Sequence, residues 1–466
     1  MARAKKEAAL TPEERLQAAL VPDWEWPYKL PENWCWVKAS AVARIYTGNS
    51  ISEKIKADKY AGQQEGLLFI ATKDIGFDNA INYETDIRIP DYPNFKIAPA
   101  NTALLCIEGG SAGRKVGFVN REVCFGNKLC AFAAEKVNSK FIYYILQSQY
   151  FIQQFNNRKH GLIGGVSVND LAEIGFPLSP LAEQQRIVDR IESLFAKLDE
   201  AREKAQAVVD SFETHKAAIL HKAFTGELTA KWREERGVGM ESWEKRRINE
   251  LARPRAGYAF DSKKFSNTGY QVVRMGNLYG ETLDLFRKPV FISEDDVDDS
   301  ILNRALIKDG DILITLTGTK YKRDYGYAVC VSSPNKLLVN QRILCLTPFA
   351  CVERNYLLYY LKSNLFRDVF FSCETGGVNQ GNVSSKFVEN IEIPIPTFDE
   401  QLEIATVLDR TLVHEQQAKE AAEAVLDQIE LMKKSILARA FRGELGTNDP
   451  SEESAVELLK EIIRRG

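Results

Sequence analysis

Two long stretches of the chain place hydrophobic residues at heptad spacing. The first begins at Leu181 and contains neither Gly nor Pro before Gly226. Its apolar positions form two interleaved columns, Ile187, Leu194, Ala201, Val208 and His215 in one and Ile191, Leu198, Ala205, Phe212 and Ile219 in the other. Heptad spacing of this kind predicts a long α-helix with a coiled-coil seam.

The second stretch has the same character and runs from Phe398 to Gly443. Its columns are Ile404, Thr411, Ala418, Val425 and Met432, and Leu408, Glu415, Ala422, Ile429 and Ile436. One helix cannot bury a narrow apolar stripe by itself, and the chain supplies a second helix of similar length. We therefore expect an intramolecular antiparallel pair with His215 in its core near Glu415. The alternative is that each helix pairs with a second chain.

The chain repeats itself around these helices. PLSPLAEQQRIVDRIESLF from Pro177 returns as PIPTFDEQLEIATVLDRTL from Pro394, and HKAAILHKAFTGEL (215–228) returns as MKKSILARAFRGEL (432–445). Upstream, FIYYILQS (141–148) is similar to YLLYYLKS (356–363). An internal repeat of this length indicates a duplicated unit, each consisting of a globular segment followed by a helix.

The two globular segments mix short apolar runs with glycine-rich turns. LLFIA (67–71), TALLCI (102–107) and DILITL (311–316) are typical of buried strands, and an aromatic helix is predicted around 140–155 and again around 355–371. The predicted fold class is α+β: two mixed α/β domains, separated by two long helices that form an antiparallel coiled coil, related by a pseudo-two-fold internal repeat.

Composition excludes several classes of protein. Hydrophobic residues make up 45% and charged residues 27% of the 466 residues, as in ordinary globular proteins. No apolar run is long enough to span a bilayer and no signal peptide is recognisable, so a cytoplasmic protein is expected. The eight Cys include no C-x-x-C pair, and the four His lack zinc-site spacing, so no metal is expected.

The sequence motifs of common catalysts are missing. There is no G-x-x-x-x-G-K-[ST] phosphate loop, no N/D-P-P-Y/F tetrapeptide of amino-methyltransferases, and no suitably spaced nuclease motif. We therefore expect a chain that is not an enzyme by itself and that binds no cofactor.

Several loops place cations and amides beside glycines or aromatic residues. Lysine can contact phosphates, arginine can bridge two acceptors on guanine, and Asn or Gln can bridge the donor and acceptor of adenine. A net charge of -3 neither demands nor excludes a nucleic-acid partner, and a solvated surface is the alternative interpretation of each loop. The DNA-binding candidates are Lys54, Lys56, Arg114, Lys115, Arg158, Lys159, Lys263, Lys264, Lys320, Lys322, Arg323, Asn379 and Gln380.

The helix starts PLAEQQRIV (180–188) and FDEQLEIA (398–405), with the helix ends AFTGELTAKWR (223–233) and AFRGEL (440–445), carry a specific resemblance. With the two-domain plan, they make the chain resemble the specificity subunit of type I restriction-modification enzymes over nearly its whole length. GNK (126–128) and NQR (340–342) are similar to a polar turn common late in such domains. GLIGGVS (161–167) is only loosely similar to GGVNQGN (376–382), which leaves the base-contacting residues open.

The resemblance implies a DNA-binding subunit that reads a bipartite target and directs adenine methylation and restriction. Its implied partners are double-stranded DNA, two methyltransferase subunits carrying S-adenosylmethionine, and restriction subunits using ATP and Mg. The partner-interface candidates are Glu183, Gln184, Glu227, Glu400, Gln401 and Glu444. A stand-alone methyltransferase and a structural coiled-coil adaptor are the alternatives.

The resemblance also implies domain boundaries. These are an N-terminal conserved segment at 1–30, target recognition domains at 31–177 and 242–394, a central conserved helix at 178–228, a linker at 229–241, a C-terminal conserved helix at 395–445 and a tail helix at 446–466.

Overall fold

The computed structural model of the protein describes residues 11–90, 92–160, 164–377 and 380–465, which form two compact units. The first unit lies within Met1–Ala205 and Ala424–Gly466, and the second is Gln206–Glu423. Both boundaries fall inside the long helices, so each unit contains part of both helices. Within the described ranges, no helix combines the length and apolar composition needed to cross a membrane.

The first unit combines ten strands with short helices. The strands are β1 (Cys35–Lys38), β2 (Ala43–Thr47), β3 (Leu67–Ile70), β4 (Arg88–Ile89), β5 (Ile97–Ala98), β6 (Thr102–Cys106), β7 (Val116–Val119), β8 (Val123–Phe125), β9 (Leu129–Ala134) and β10 (Gly175–Leu178). The helices that precede the first long helix are α1 (Pro12–Ala19), α2 (Ala39–Val42), α3 (Glu53–Ile55), α4 (Ser139–Ile145), α5 (Gln149–Asn157) and α6 (Val168–Ala172). The first long helix, α7 (Leu181–Phe224), follows.

The second unit repeats this plan. Its strands are β11 (Glu244–Arg247), β12 (Ala252–Ala256), β13 (Phe265–Ser266), β14 (Tyr270–Val273), β15 (Leu278–Tyr279), β16 (Thr282–Leu283), β17 (Phe291–Ile292), β18 (Ile312–Thr315), β19 (Thr317–Gly318), β20 (Ala328–Cys330), β21 (Leu337–Val339), β22 (Ile343–Pro348), β23 (Gly381–Asn382) and β24 (Glu392–Ile395). Its helices are α8 (Ala230–Arg236), α9 (Ile248–Leu251), α10 (Asp299–Ala305), α11 (Arg354–Lys362), α12 (Asn364–Ser372) and α13 (Ser385–Glu389). The second long helix, α14 (Phe398–Ala440), is followed by α15 (Ala455–Arg465).

Strand order confirms the internal repeat. The first unit has an antiparallel sheet β2-β9-β6-β7, a mixed sheet β4-β3-β8-β5 and a ribbon β1-β10. The second has β12-β22-β18-β20 and β11-β24 in the same roles. Its mixed sheet β13-β17-β14-β21 matches in three strands and differs in the fourth, because β13 pairs with β17 whereas β5 pairs with β8. Each mixed sheet contains one parallel pair, β3 with β8 and β14 with β21. The predicted strands in 67–71, 102–107 and 311–316 are β3, β6 and β18, and the α+β class is confirmed.

Each predicted aromatic helix is two helices. The Ser148 hydroxyl accepts a hydrogen bond from the Phe151 amide and caps α5, and Ser363 caps α12 at the same place in the repeat through the Phe366 amide. A serine that satisfies the first free N–H groups favours a new helix start over helix continuation. The aromatic residues of α5 and α12 still reach the core, because Phe151 and Phe366 are fully buried.

The two long helices run antiparallel, as predicted. In the first unit, Arg202 pairs with Glu430 at 2.8 Å, and Asp199 pairs with Lys433. The partner number rises as the α7 number falls, which defines the direction. In the second unit, His215 lies 3.6 Å from Glu415, as the seam predicted, but its side chain is 58% exposed and is therefore not a core histidine.

The predicted seam is only partly buried. One column packs inward, with Ile191, Ala205 and Phe212 all buried, whereas Val208 and Met432 of the other column are about half exposed. A pair of helices buries the residues along its line of closest approach and leaves the flanking positions accessible. The expectation that both heptad columns lie in the core is therefore wrong in the middle of the helices.

A buried glutamate in the first turn of α7 organises the first unit. Glu183 is 0% exposed and accepts hydrogen bonds from Trp34 Nε1 at 2.7 Å, Asn448 Nδ2 at 3.0 Å and Thr447 Oγ1 at 3.2 Å. Its neighbour Gln184 is also buried. The side-chain amide of Gln184 accepts a hydrogen bond at 2.8 Å from the backbone N–H of Asn138, the N-cap of α4. It also donates to the Ser179 carbonyl at 2.9 Å.

The second unit contains the same arrangement at the start of α14. Glu400, 0% exposed, accepts from Trp243 Nε1 at 3.1 Å, Thr229 Oγ1 at 2.7 Å and Arg233 Nη1 at 2.5 Å. Gln401 accepts from the Glu353 amide at 2.9 Å and donates to the Pro396 carbonyl at 2.9 Å. In each unit, the segment that follows the end of one long helix therefore binds the glutamate that begins the other.

These contacts correct part of the predicted partner interface. Glu183, Gln184, Glu400 and Gln401 were expected to face partner subunits, but all four are buried and hydrogen-bonded within the chain. A buried carboxylate is stable only when its oxygens are paired, and here the chain itself supplies the donors. The four residues are structural.

The substitution Glu400→Ala should destabilise the second unit by about 3–5 kcal/mol, because it leaves the buried Arg233 guanidinium without its carboxylate. Chemical denaturation followed by circular dichroism measures this loss. The matched control is Glu200→Gln, which removes an exposed glutamate paired with Lys204 at 2.7 Å and should cost at most about 1 kcal/mol. Equal losses for the two variants would contradict the structural role of Glu400.

Candidate nucleic-acid interface

A polar cleft lies on the surface of the second unit. Three adjoining concavities of about 420, 390 and 350 Å³ share their walls, and Arg342 lines all three. We define the polar cleft by the long side chains that line it: Arg274, Tyr279, Arg287, Lys288, Gln341, Arg342 and Gln380.

A tight turn between β21 and β22 presents Gln341 and Arg342. The Gln341 amide donates to the Tyr258 carbonyl at 3.0 Å, which fastens the turn to the chain beyond β12. Gly257 is required for this approach, because a Cβ there would lie 2.0 Å from the Asn340 carbonyl oxygen. Both Gln341 and Arg342 are exposed. The local fold therefore holds the backbone and leaves the two side chains available.

The first unit has the corresponding turn. The Asn49 amide donates to the Phe125 carbonyl at 2.9 Å, and a Cβ at Gly48 would lie 2.0 Å from that oxygen. The turn presents Asn127 and Lys128, both exposed, where the second unit presents Gln341 and Arg342. Lys128 lies 3.5 Å from Glu108, so its charge is partly compensated. GNK and NQR, the similar sequence motifs, thus occupy equivalent places.

A loop after the β15–β16 hairpin forms the opposite wall of the polar cleft. The buried Asn277 amide donates to the carbonyls of Asp284 and Arg287, both at 2.9 Å. Arg274 donates to the Lys288 carbonyl at 2.8 Å. These bonds fix the loop backbone, so that Arg287 and Lys288 project from a defined position.

Two of the loops that supply DNA-binding candidates meet at the end of the cleft. Antiparallel pairing of β19 with β23 brings Thr317 and Gly318 beside Asn382 and Gly381, and Lys320 Nζ donates to the Gly376 carbonyl at 2.9 Å. Asp324 accepts from the Thr319 amide at 2.7 Å. Burial alone raises the pKa of Asp324, but the hydrogen bonds from Thr319 outweigh it, and the pKa lies below its usual value. This carboxylate is therefore ionised and tethered at neutral pH.

The cleft suits a polyanion that carries hydrogen-bonding groups. Among the described residues, Arg287, Lys288 and Arg342 have no carboxylate within ion-pair distance. Free guanidinium and ammonium groups bind phosphates or base acceptors, and Gln341 and Gln380 can donate and accept at once. This combination of groups is typical of DNA readout.

The other predicted cations of the second unit differ in whether a carboxylate pairs with them. Lys263 and Lys322 are exposed and form no ion pair with any described residue. Lys264 pairs with Asp296 at 2.9 Å, and Arg323 pairs with Asp368 at 2.9 Å. Gln380 lines the cleft, whereas Asn379 lies outside the described residues.

In the first unit, the predicted cations stack on aromatic rings or bond locally. Arg114 and Lys115 lie 4.9 and 4.7 Å from the centre of the Phe77 ring. Lys159 lies 5.5 Å from the Phe155 ring, and Arg158 donates to the Gln154 side chain at 2.7 Å.

The two remaining candidates of the first unit lie at α3. Lys54 is exposed, whereas Lys56 pairs with Glu53 at 2.7 Å and stacks on Phe69. Among the predicted partner-interface residues, Glu227 and Glu444 remain exposed in equivalent segments after the two long helices.

Sequence reasoning missed most of the cleft. Arg274, Arg287 and Lys288 were not candidates, and Gln341 and Arg342 were noted only as part of a polar turn. In R-M-G-N (274–277) and F-R-K (286–288), a cation lies near a glycine or next to an aromatic residue. This is the pattern by which the other loops were predicted. The same criterion, applied to shorter segments, would have found them.

Comparisons with known proteins agree along most of the chain. The family model described as "Type I restriction modification DNA specificity domain" matches residues 31–208 and 240–424. The EcoKI specificity subunit of Escherichia coli strain K12 is 25% identical over 93% of this chain and 96% of its own length. The EcoBI specificity subunit of Escherichia coli is 22% identical over 92% of each chain.

Two solved structures share the fold. One, from work on complex assembly and conformational transition of the type I R-M system, has a TM-score of 0.68 at 20% identity, covering 90% of this chain and all of that chain. The other is the HsdS subunit from Thermoanaerobacter tengcongensis, with a TM-score of 0.60 at 19% identity and the same coverage.

Proposed function

The chain belongs to the family of type I restriction-modification DNA specificity subunits, and from this premise we propose that it reads a bipartite DNA sequence with its two units. Specificity subunits are the non-catalytic components of these enzymes. The observation that carries the proposal is the polar cleft, in which Arg342 projects from a turn that the first unit repeats with Asn127 and Lys128. Two equivalent presenting turns suit a target with two half-sites.

Within this proposal, several side chains of the cleft and of the neighbouring loop have roles that follow from their chemistry. Arg342 reads a guanine through two parallel hydrogen bonds, and Gln341 or Gln380 reads an adenine. Lys322 and Lys288 contact phosphates, which sets affinity and register without carrying sequence information. The target recognition domains correspond to 31–177 and 242–394.

We propose that catalysis belongs to partner subunits. Two methyltransferase subunits with S-adenosylmethionine would methylate an adenine extruded from the duplex, while this chain holds the flanking sequence. Restriction subunits using ATP and Mg would supply cleavage. The exposed Glu227 and Glu444 are candidates for contact with the methyltransferase subunits, because they occupy equivalent segments in a duplicated chain.

Exchange of residues 242–394 for those of a related specificity subunit should change one half-site and leave the other intact. The reason is that the two presenting turns belong to different units, each with its own sheets and core. Sequencing of methylated DNA from cells that carry the chimera and the methyltransferase gives the motif. A change in both half-sites would contradict the two-reader arrangement.

Arg342→Ala should relax specificity at one base pair, with a loss of discrimination of about 1–3 kcal/mol there, because a bidentate contact to guanine is removed. Competition binding with a set of targets, each altered at one position, measures this. Arg202→Ala, in the helix pair far along the sequence from the cleft, is the control and should leave every position unchanged. Uniform weakening at all positions would assign Arg342 to phosphate contact instead.

Lys322→Gln should lower the slope of log affinity against log salt concentration by about 0.9, since one phosphate contact releases about that many counterions. Fluorescence anisotropy over a salt series measures the slope. Lys204→Gln, an exposed lysine of α7 paired with Glu200, should leave the slope unchanged. An unaltered slope for Lys322→Gln would identify its loop as a solvated surface.

A further inference from the structure

The β15–β16 hairpin carries an aromatic residue into the polar cleft. Tyr279 precedes the turn residue Gly280, whose φ of +60° favours glycine. The Tyr279 side chain lines the cleft and is 65% exposed, and the Arg287 guanidinium lies 5.7 Å from its ring centre. A large exposed ring beside a free cation offers a stacking face next to a charge.

The other side of the same hairpin is anchored in the unit. The Glu281 carboxylate pairs with Lys216 of α7 and lies 3.1 Å from Lys362 at the end of α11. The two lysine side chains are only 17% and 14% exposed. Burial by itself raises the pKa of Glu281, but the two lysines outweigh this effect and the pKa lies below its usual value. One ionised carboxylate thus bridges two largely buried cations.

The first unit has an equivalent anchor built from different groups. Its hairpin is closed by the bridge between Ile75 and Ile81 and exposes Phe77, at 62%, beneath Arg114 and Lys115. Asn79 Nδ2 donates to Gln147 Oε1 at 2.9 Å, and Asn79 Oδ1 accepts from the Val116 amide at 3.0 Å.

In both anchors, the residue that binds the hairpin occupies the same position of the internal repeat. Gln147 of FIYYILQS and Lys362 of YLLYYLKS are the seventh residues of the matching segments. The duplication has therefore kept a bond between the hairpin and the end of the aromatic helix, although an amide pair in one unit is an ion pair in the other. Retention of the contact with different chemistry points to a requirement for the hairpin's position.

We propose that Glu281 and Asn79 are positioning residues, which fix the hairpins so that Tyr279 and Phe77 contact the bases of their respective half-sites. This inference rests on the proposed function. A ring that stacks on or wedges against a base step discriminates between sequences only if its position is fixed to a fraction of an ångström. The hairpin lies at the surface, and the anchor supplies that restraint.

The test uses the full chain assembled with its methyltransferase subunits. Glu281→Ala should lower discrimination about 10-fold between the target and targets altered in one half-site, and leave the other half-site unchanged. Gln147→Ala should do the converse, without disturbing Asn79, whose φ of +66° makes its own substitution strained. Competition binding with half-site variants gives both values, and denaturation midpoints show that each variant is folded.

Three further comparisons separate positioning from general stability. Glu213→Ala removes an exposed carboxylate that lines the same cavity as Glu281 and pairs with no described residue, and it should change neither half-site. Glu281→Gln with Lys362→Gln replaces the ion pair by an amide pair like that of the first unit, keeps an oxygen that can accept from Lys216, and should restore discrimination. Because Glu281 acts through Tyr279, adding Glu281→Ala to Tyr279→Ala should cause no additional loss.

The outcomes are distinct. Unchanged discrimination in a folded Glu281→Ala complex, or an equal loss at both half-sites, would overturn the anchor. An additional loss in the double variant would also overturn it, because Glu281 would then act without Tyr279. If the parental complex shows no sequence preference at all, the proposed function fails, whatever the variants do.

Discussion

The fold depends on two buried carboxylates. Glu183 and Glu400 each begin a long helix, and each gathers a tryptophan N–H and donors from the segment that follows the other helix. An unpaired carboxylate at 0% exposure is strongly unfavourable, so these donors must arrive together with the glutamate. In each unit, this requirement brings distant parts of the chain to one place and fixes where the helix starts relative to the sheets.

That restraint separates the parts of the molecule that hold shape from those that can vary. Sheets and helix starts are buried and hydrogen-bonded, whereas the polar cleft is built from turns and loops whose backbones are held and several of whose side chains, Arg342 and Gln341 among them, are exposed. Asn277 and Gly257 show how this works: the first fixes a loop by its amide, the second admits the close approach of a neighbouring turn. Under the proposed function, this division would let the target change by substitution of Arg342 or Gln341 without a change in the scaffold.

Prediction from the sequence succeeded where a local pattern carries the structure. Heptad spacing gave both long helices, and the apolar runs gave β3, β6 and β18. It was wrong where one residue acts through a partner far along the chain. Glu183 and Glu400 are repeated charged residues at helix starts and were expected to face partners. Nothing nearby in the sequence shows that Trp34 and Thr447 surround the first glutamate. The same holds for Trp243 and Thr229 around the second. Ser148 split a predicted helix through a single cap, which periodicity does not detect.

The sequence by itself determined the repeat, the fold class, the antiparallel helix pair and the family, because periodicity and motif similarity are properties of neighbouring residues. Only the tertiary structure decided which charges are available. Lys264 and Lys322 are both lysines in similar loops, yet Asp296 pairs with the first and no described carboxylate pairs with the second. Whether a charge is free depends on groups that folding brings within a few ångströms, and Glu281 between Lys216 and Lys362 is such a case. The order of residues along the chain does not show which distant groups will lie that close after folding.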